Sequence, residues 1–131
     1  MYLLDTNVWL ERLLDQEKSA EVQRFLNAIP SDELFITDFS FHSIGIVMQK
    51  LNRLDGFLKF IDDAFGNGAV TLVHLEPAEA REIVNVHQRF GLDFDDAYQY
   101  VAAQKHNLSL VSFDSDFDRT ERKRKRPSEL L

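Results

Sequence analysis

The sequence predicts an α/β fold, a three-layer α/β/α sandwich around a central parallel sheet of four to five strands. Three observations lead there. Short apolar runs alternate along the chain with longer stretches whose apolar residues recur at helical spacing. The apolar runs are nearly continuous, which marks strands covered on both faces by helices. The chain has 131 residues, 44% hydrophobic and 11% aromatic, enough for one core, so residues 1–131 read as a single domain.

The elements follow in order. "YLLD" opens as a short strand, and "TNVWLERLL" and "SAEVQRFLNAI" read as helices starting at Thr6 or Asn7 and at Ser19. "IPSDE" is a turn before the second strand, "ELFIT", Glu33 to Thr37. Phe39 to Lys50 is helical again, and "DGFLKFIDDAFGNG" is a further amphipathic helix stopped by Gly66 and Gly68. "AVTLVHL" is the third strand. Pro77 then sits where a first helical turn tolerates it, and "AEAREIVNVHQRFG" runs to a glycine stop at Gly91. Asp93 is the expected cap of "FDDAYQYVAAQKHN", where Phe94, Ala97, Tyr98, Val101 and Ala102 share a face opposite Asp96. "LSLVS" is the fourth strand. No repeat, low-complexity segment or linker interrupts this order.

Charge is unevenly placed. The net charge is −7, yet "RTERKRKR", Arg119 to Arg126, holds six of the 15 basic residues and one of the 22 acidic ones. That leaves nine basic and 21 acidic residues elsewhere, a body of net −12 with a basic tail over residues 119–131. An acidic body argues against unaided nucleic-acid binding, whereas the run Arg122, Lys123, Arg124, Lys125 and Arg126 offers a strip for RNA phosphates or a solvated terminus. No cysteine occurs, which excludes disulfides and thiolate metal sites. No apolar run approaches the ~20 residues of a spanning helix, and the first 16 residues meet acid too early for a signal peptide. A soluble cytoplasmic protein without membrane contact is the expectation.

In a parallel sheet, residues just past the strand ends gather on one edge, where such folds place ligands. This chain puts Asp5 after strand one, Asp38 after strand two, and Asp114 with Asp116 after strand four. Asp95 and Asp96 open the helix leading into strand four, a place the helix dipole also favours. Carboxylates brought together raise one another's pKa or require a cation, and oxygen-only ligands suit Mg²⁺ or Mn²⁺ rather than Zn²⁺. His42 is read as a partly buried helix residue, and His74, His87 and His106 carry no assigned chemistry. Trp9, Phe39, Phe41, Phe57, Phe60 and Phe65 fall at helical spacing and are read as core or a dimer seam.

With "LLDTNVWLE" at the start, "DDAYQYVAAQKHNLSLVSFDSDF" near the end and a 16-residue step from Asp96 to Ser112, the chain resembles the PIN domain over nearly its whole length. The resemblance includes the VapC-type toxin ribonucleases of bacterial toxin–antitoxin pairs. It implies cleavage of single-stranded RNA in an acidic pocket holding Mg²⁺ or Mn²⁺, an antitoxin partner and a homodimer. By motif position Asp5, Asp96 and Asp114 take the metal-binding and catalytic roles, with Asp116 a further catalytic acid and Asn7 and Ser112 orienting them. The pattern's helix glutamate, about six residues past strand two, falls on Ser43, and Asp38 is the nearest acid on that edge. Asp116 and Asp95 are the candidates to orient the attacking water. Two other readings stay open: a PIN-fold binding or regulatory module without activity, and a phospho-acceptor signalling domain. The latter would need an acid pair at strand one, where this chain has Asp5-Thr6-Asn7.

Overall fold

The computed structural model describes all residues 1–131. Its sheet has four parallel strands: β1 (Tyr2–Leu4), β2 (Leu34–Thr37), β3 (Thr71–Val73) and β4 (Ser109–Val111), in spatial order β3-β2-β1-β4. Six α-helices join them: α1 (Thr6–Leu13), α2 (Ser19–Ala28), α3 (Asp38–Lys50), α4 (Leu54–Ile61), α5 (Ala80–Phe90) and α6 (Phe94–Lys105). The expected class and strand number hold, with each strand one or more residues shorter than its apolar run.

Alternation along the strands makes the three layers, because successive side chains point to opposite faces. Leu3 and Leu110, paired across β1 and β4, face a core with Ile83 and Val86 of α5 and Ala97, Tyr100 and Val101 of α6. Their neighbours Leu4 and Val111 face the opposite way, toward Val8 and Trp9 of α1, Phe25 of α2, Ile44 and Met48 of α3 and Phe60 of α4. Each fully buried large side chain of this kind contributes about 1.5–3 kcal/mol. No helix is long and apolar enough to cross a membrane.

Several local expectations change. α4 passes into a π turn, Asp62–Gly66, before the chain reaches β3. Pro77 opens a separate 3-10 turn, Pro77–Glu79, closed by Glu76 and Glu79 side chains, and α5 begins only at Ala80. Gly91 ends α5 in the left-handed region at φ 67°, as a glycine stop requires. Phe94 does not join the buried face of α6: it is 58% exposed, because the helix presses Ala97, Gln99, Tyr100, Val101, Ala102 and Ala103 into the protein instead. His42 is exposed rather than partly buried.

The basic tail is not a free strip. Its backbone runs beside β4, with Lys125 N–H donating to Leu110 O (2.8 Å) and Ser112 N–H donating to Lys125 O (3.0 Å). Arg122 donates to Leu108 O, Arg124 pairs with Asp118 at 3.2 Å, and Arg126 pairs with Glu129 at 3.2 Å. Lys123 and Lys125 are exposed or nearly so and form no ion pair, so two of the five cations offered for RNA are uncommitted.

Candidate metal centre at the sheet switch point

β2 and β3 run outward on one side of β1 while β4 lies on the other, so the strand order reverses between β1 and β4. Ligands of parallel sheets bind at such a point, outside the carboxyl ends of the strands. Asp5 leaves β1 there and caps α1, with Oδ1 accepting from Thr6 N–H at 2.8 Å. Beyond β4 the chain places Ser112 and Asp114, and the Asp114 carboxylate accepts from Asp116 N–H at 2.9 Å to start the 3-10 turn Ser115–Arg119. Phe117 in that turn is fully buried in the α5/α6 core and fixes the turn to the body.

Carboxylate oxygens of Asp96, Asp114 and Asp116 lie within 4.8 Å of one another, and those of Asp93, Asp95 and Asp96 form a second such group. Asp96 belongs to both. It sits in the first turn of α6, where the dipole favours a negative charge, yet its pKa is pushed up to about 7. Burial is the first cause, followed by the charges of Asp5, Asp114, Asp95 and Asp93. Asp93 stands at the cap position of α6 without the expected side-chain cap bond. Asp116 alone has a cationic neighbour, Arg119 at 3.1 Å.

Asp5 falls outside both groups, yet it exerts the largest charge effect on Asp96. It is 5% exposed, and burial raises its pKa while hydrogen bonds from Gln99, Ser112 and Thr6 oppose the rise. Ser112 Oγ donates to Asp5 Oδ2 (2.8 Å) and accepts from Asp114 N–H (2.9 Å) and from Asn7 Nδ2 (3.3 Å). Asn7 Oδ1 in turn accepts from Phe113 N–H. Asn7 and Ser112 thus tie the β1 and β4 ends together.

The other anticipated residues lie elsewhere. Asp38 is turned aside, accepting from Tyr98 OH (2.8 Å) and from Phe39 N–H, and Ser43 on α3 is half-buried with no side-chain hydrogen bond. No carboxylate of α3 joins the acid groups. Gln99, Ser40, Thr37 and Thr6 form a buried polar chain against Asp5 that the sequence pattern does not announce. The available signal is a glutamine in the mostly apolar stretch Ala97–Ala103, three residues past Asp96 and so on its side of the helix.

The raised pKa of Asp96 has a thermodynamic consequence. Its folded value near 7 exceeds the ordinary 3.8, so the native state binds more protons between those values and stability falls as pH rises from about 4 to about 7. Asp96 is only partly buried, and screening cuts the effect to roughly 1–2 kcal/mol. In EDTA, Tm is expected to fall by roughly 3–8 °C between pH 5 and pH 8 beyond the change seen in Asp96→Asn. Parallel melting profiles for the two proteins would contradict this.

A family model described as the PIN domain matches residues 2–123. Curated protein sequences give no match. Among solved structures, a toxin–antitoxin complex from Klebsiella pneumoniae aligns with a TM-score of 0.78 at 20% identity, covering 97% of this chain and 98% of that one. FitAcB from Neisseria gonorrhoeae aligns at 0.75 and 22% identity over 99% and 100% of the two chains. VapC20 of Mycobacterium tuberculosis, a toxin that cleaves the sarcin–ricin loop, aligns at 0.76 and 13% identity over 90% and 93%. At these identities the likeness is one of fold.

Proposed function

Because this chain belongs to the PIN domain family, we propose that it is a divalent-metal-dependent endoribonuclease, the toxin of a toxin–antitoxin pair, acting on single-stranded RNA in the cytoplasm. The observation that carries the reading is the meeting of Asp96, Asp114 and Asp116, with the charge of Asp5 acting on Asp96, at the switch point of the sheet. That the fold is shared with a toxin–antitoxin complex and with a toxin that cleaves the sarcin–ricin loop supports the choice of partner and substrate. A homodimer goes with this reading, and exposed Phe41, Ile46, Leu51, Leu54 and Leu58 on and around α3 and α4 offer apolar surface for it.

The donor set fits a hard cation. It consists of carboxylate oxygens only and lacks a cation beside Asp96 or Asp114, and burial together with the neighbouring carboxylates pushes one member to about 7. Asp96, Asp114 and Asp116 would hold Mg²⁺ or Mn²⁺, with Asp5 as a further ligand. Such an ion, when bound, supplies charge relief to phosphate oxygens and acidifies water for attack. Asp95, exposed beside Asp96, orients the incoming water and accepts its proton. Arg119, next to Asp116, faces the phosphate with a positive charge, and Lys123 and Lys125 draw in the RNA backbone.

The test is cleavage of single-stranded RNA with Mg²⁺, with Mn²⁺ and with EDTA. Metal-dependent cutting that EDTA stops is expected, and cutting indifferent to EDTA would end the proposal. A second reading, a weakly active or inactive binding module, is favoured by one observation: α3 contributes no acid to the cluster. Mn²⁺ calorimetry separates the two, since saturable binding supports the nuclease and no heat at millimolar metal supports the module. Ser43→Glu, which adds an acid on α3, is expected to raise cleavage if the pocket is short of charge.

A further inference from the structure

We infer that Gln99 is a positioning residue that sets the orientation of the Asp5 carboxylate and so decides which of its oxygens faces the acid cluster. This deepens the reading of the site as a metal centre and rests on it. Gln99 is fully buried, on the side of α6 turned toward the ends of β1 and β2. A buried primary amide has two donors and an acceptor to satisfy, and each omission costs about 1–3 kcal/mol.

Here the amide is committed on both ends. Its Nε2 donates to Asp5 Oδ1 at 3.1 Å and to Ser40 Oγ at 2.7 Å, while Oε1 accepts from Thr37 Oγ1 at 2.6 Å. Thr37 caps α3 and also accepts from Ser40 N–H, and Ser40 Oγ meets Thr6 Oγ1 at 2.7 Å. Gln99 therefore cannot turn without breaking its bonds to the residues that end β1 and β2 and open α3.

The count of lone pairs at Asp5 gives the consequence. An ionised carboxylate accepts about four hydrogen bonds, two per oxygen. Oδ1 accepts from Thr6 N–H and from Gln99, whereas Oδ2 accepts only from Ser112. One oxygen is filled and the other keeps an unused direction. A cation drawing on Asp5 takes Oδ2, through one oxygen rather than both, and Gln99 imposes that choice without touching the cation. Ser40 takes the second amide proton and so ties α3 to Gln99 rather than to Asp5, and α3 brings no carboxylate.

Gln99→Met keeps the volume and removes the amide; Gln99→Asn keeps the amide but withdraws it by one methylene and serves if the first variant does not fold. Mn²⁺ affinity measured by calorimetry is expected to fall about 10- to 100-fold in either, as loss of a ligand's orienting partner does. Ser40→Ala, which leaves the Gln99–Asp5 bond in place, is expected to lower Tm with less than a threefold change in Mn²⁺ affinity. A purely structural glutamine would lower Tm in all three and leave Mn²⁺ affinity within threefold, which overturns the inference. Crystal structures of metal-free wild type and variant give a readout without metal: the Asp5 carboxylate is expected to rotate, and an unrotated carboxylate overturns the inference. Wild-type protein that binds no Mn²⁺ would overturn the metal-centre reading instead, and the rotation would still decide the part played by Gln99.

Discussion

Replacing Asp96 with Asn is expected to lower RNA cleavage by at least about 100- to 1000-fold, the cost of removing one preorganised group from an active site, while making the metal-free protein more stable at pH 8. The two effects have one origin. Asp96 belongs to both acid groups and is pushed up to about 7 by burial and by four neighbouring carboxylates. Asparagine keeps the shape and deletes the repelled charge. In EDTA at pH 8 the variant should melt above wild type, and added Mg²⁺ should close or reverse the gap by stabilising wild type alone, since a ligand that binds only the native state raises its stability. Cleavage assays and melting curves on the same preparations decide the matter. A variant that cuts RNA at the wild-type rate would remove Asp96 from the site. One that melts lower at pH 8 would show that its charge is not under strain.

Phe117→Ala is expected to cost about 3–5 kcal/mol, as emptying a buried aromatic site does, and to lower Tm by about 10–20 °C. Its ring lies in the core with Leu92, Ala97 and Leu110, and its backbone oxygen is held by both Thr120 N–H and Thr120 Oγ1. The residue stands between Asp116 and Asp118 on the turn that begins at Asp114, so loss of the ring releases the acids as well. Mn²⁺ affinity should drop about tenfold, in line with loss of a ligand's support. Phe25→Ala is the control. Phe25 is equally buried, but it lies on α2 in the opposite core, so a similar fall in Tm should come without a change in Mn²⁺ affinity. Equal loss of affinity in both variants would mean that the turn has no special hold on the acids.

Most of the fold is legible in the sequence because burial on both faces leaves continuous apolar runs such as "YLL" and "LFI" little alternative to a strand, and because Gly91 acts locally. The acids are legible for a similar reason: Asp5, Asp114 and Asp116 come just after strands, and parallel strands deliver the residues beyond their ends to one edge. Phe94 departs from expectation because a helical stripe assumes one buried side, whereas α6 buries Gln99 and Tyr100 as well as Ala97 and Val101. The fate of Asp38 depends on Tyr98, 60 residues away, whose hydroxyl takes the carboxylate away from the other acids. Gln99 is hidden for the same physical reason. Its bonds reach Thr37, Ser40 and Asp5, and no local pattern records partners so far along the chain. Charge alone suggests a solvated tail, but its position is decided by backbone groups of β4 that need partners.

That last arrangement bears on how copies of this chain can stack. Lys125 bridges to the outer side of β4, so the strand edge left without a backbone neighbour is that of β3, three residues long with Thr71 and Leu72 exposed. With one vacant border per molecule, two copies can zip together and the join is then complete. Endless polymerisation into a fibre requires two, and would have to begin by peeling the Lys125 segment away.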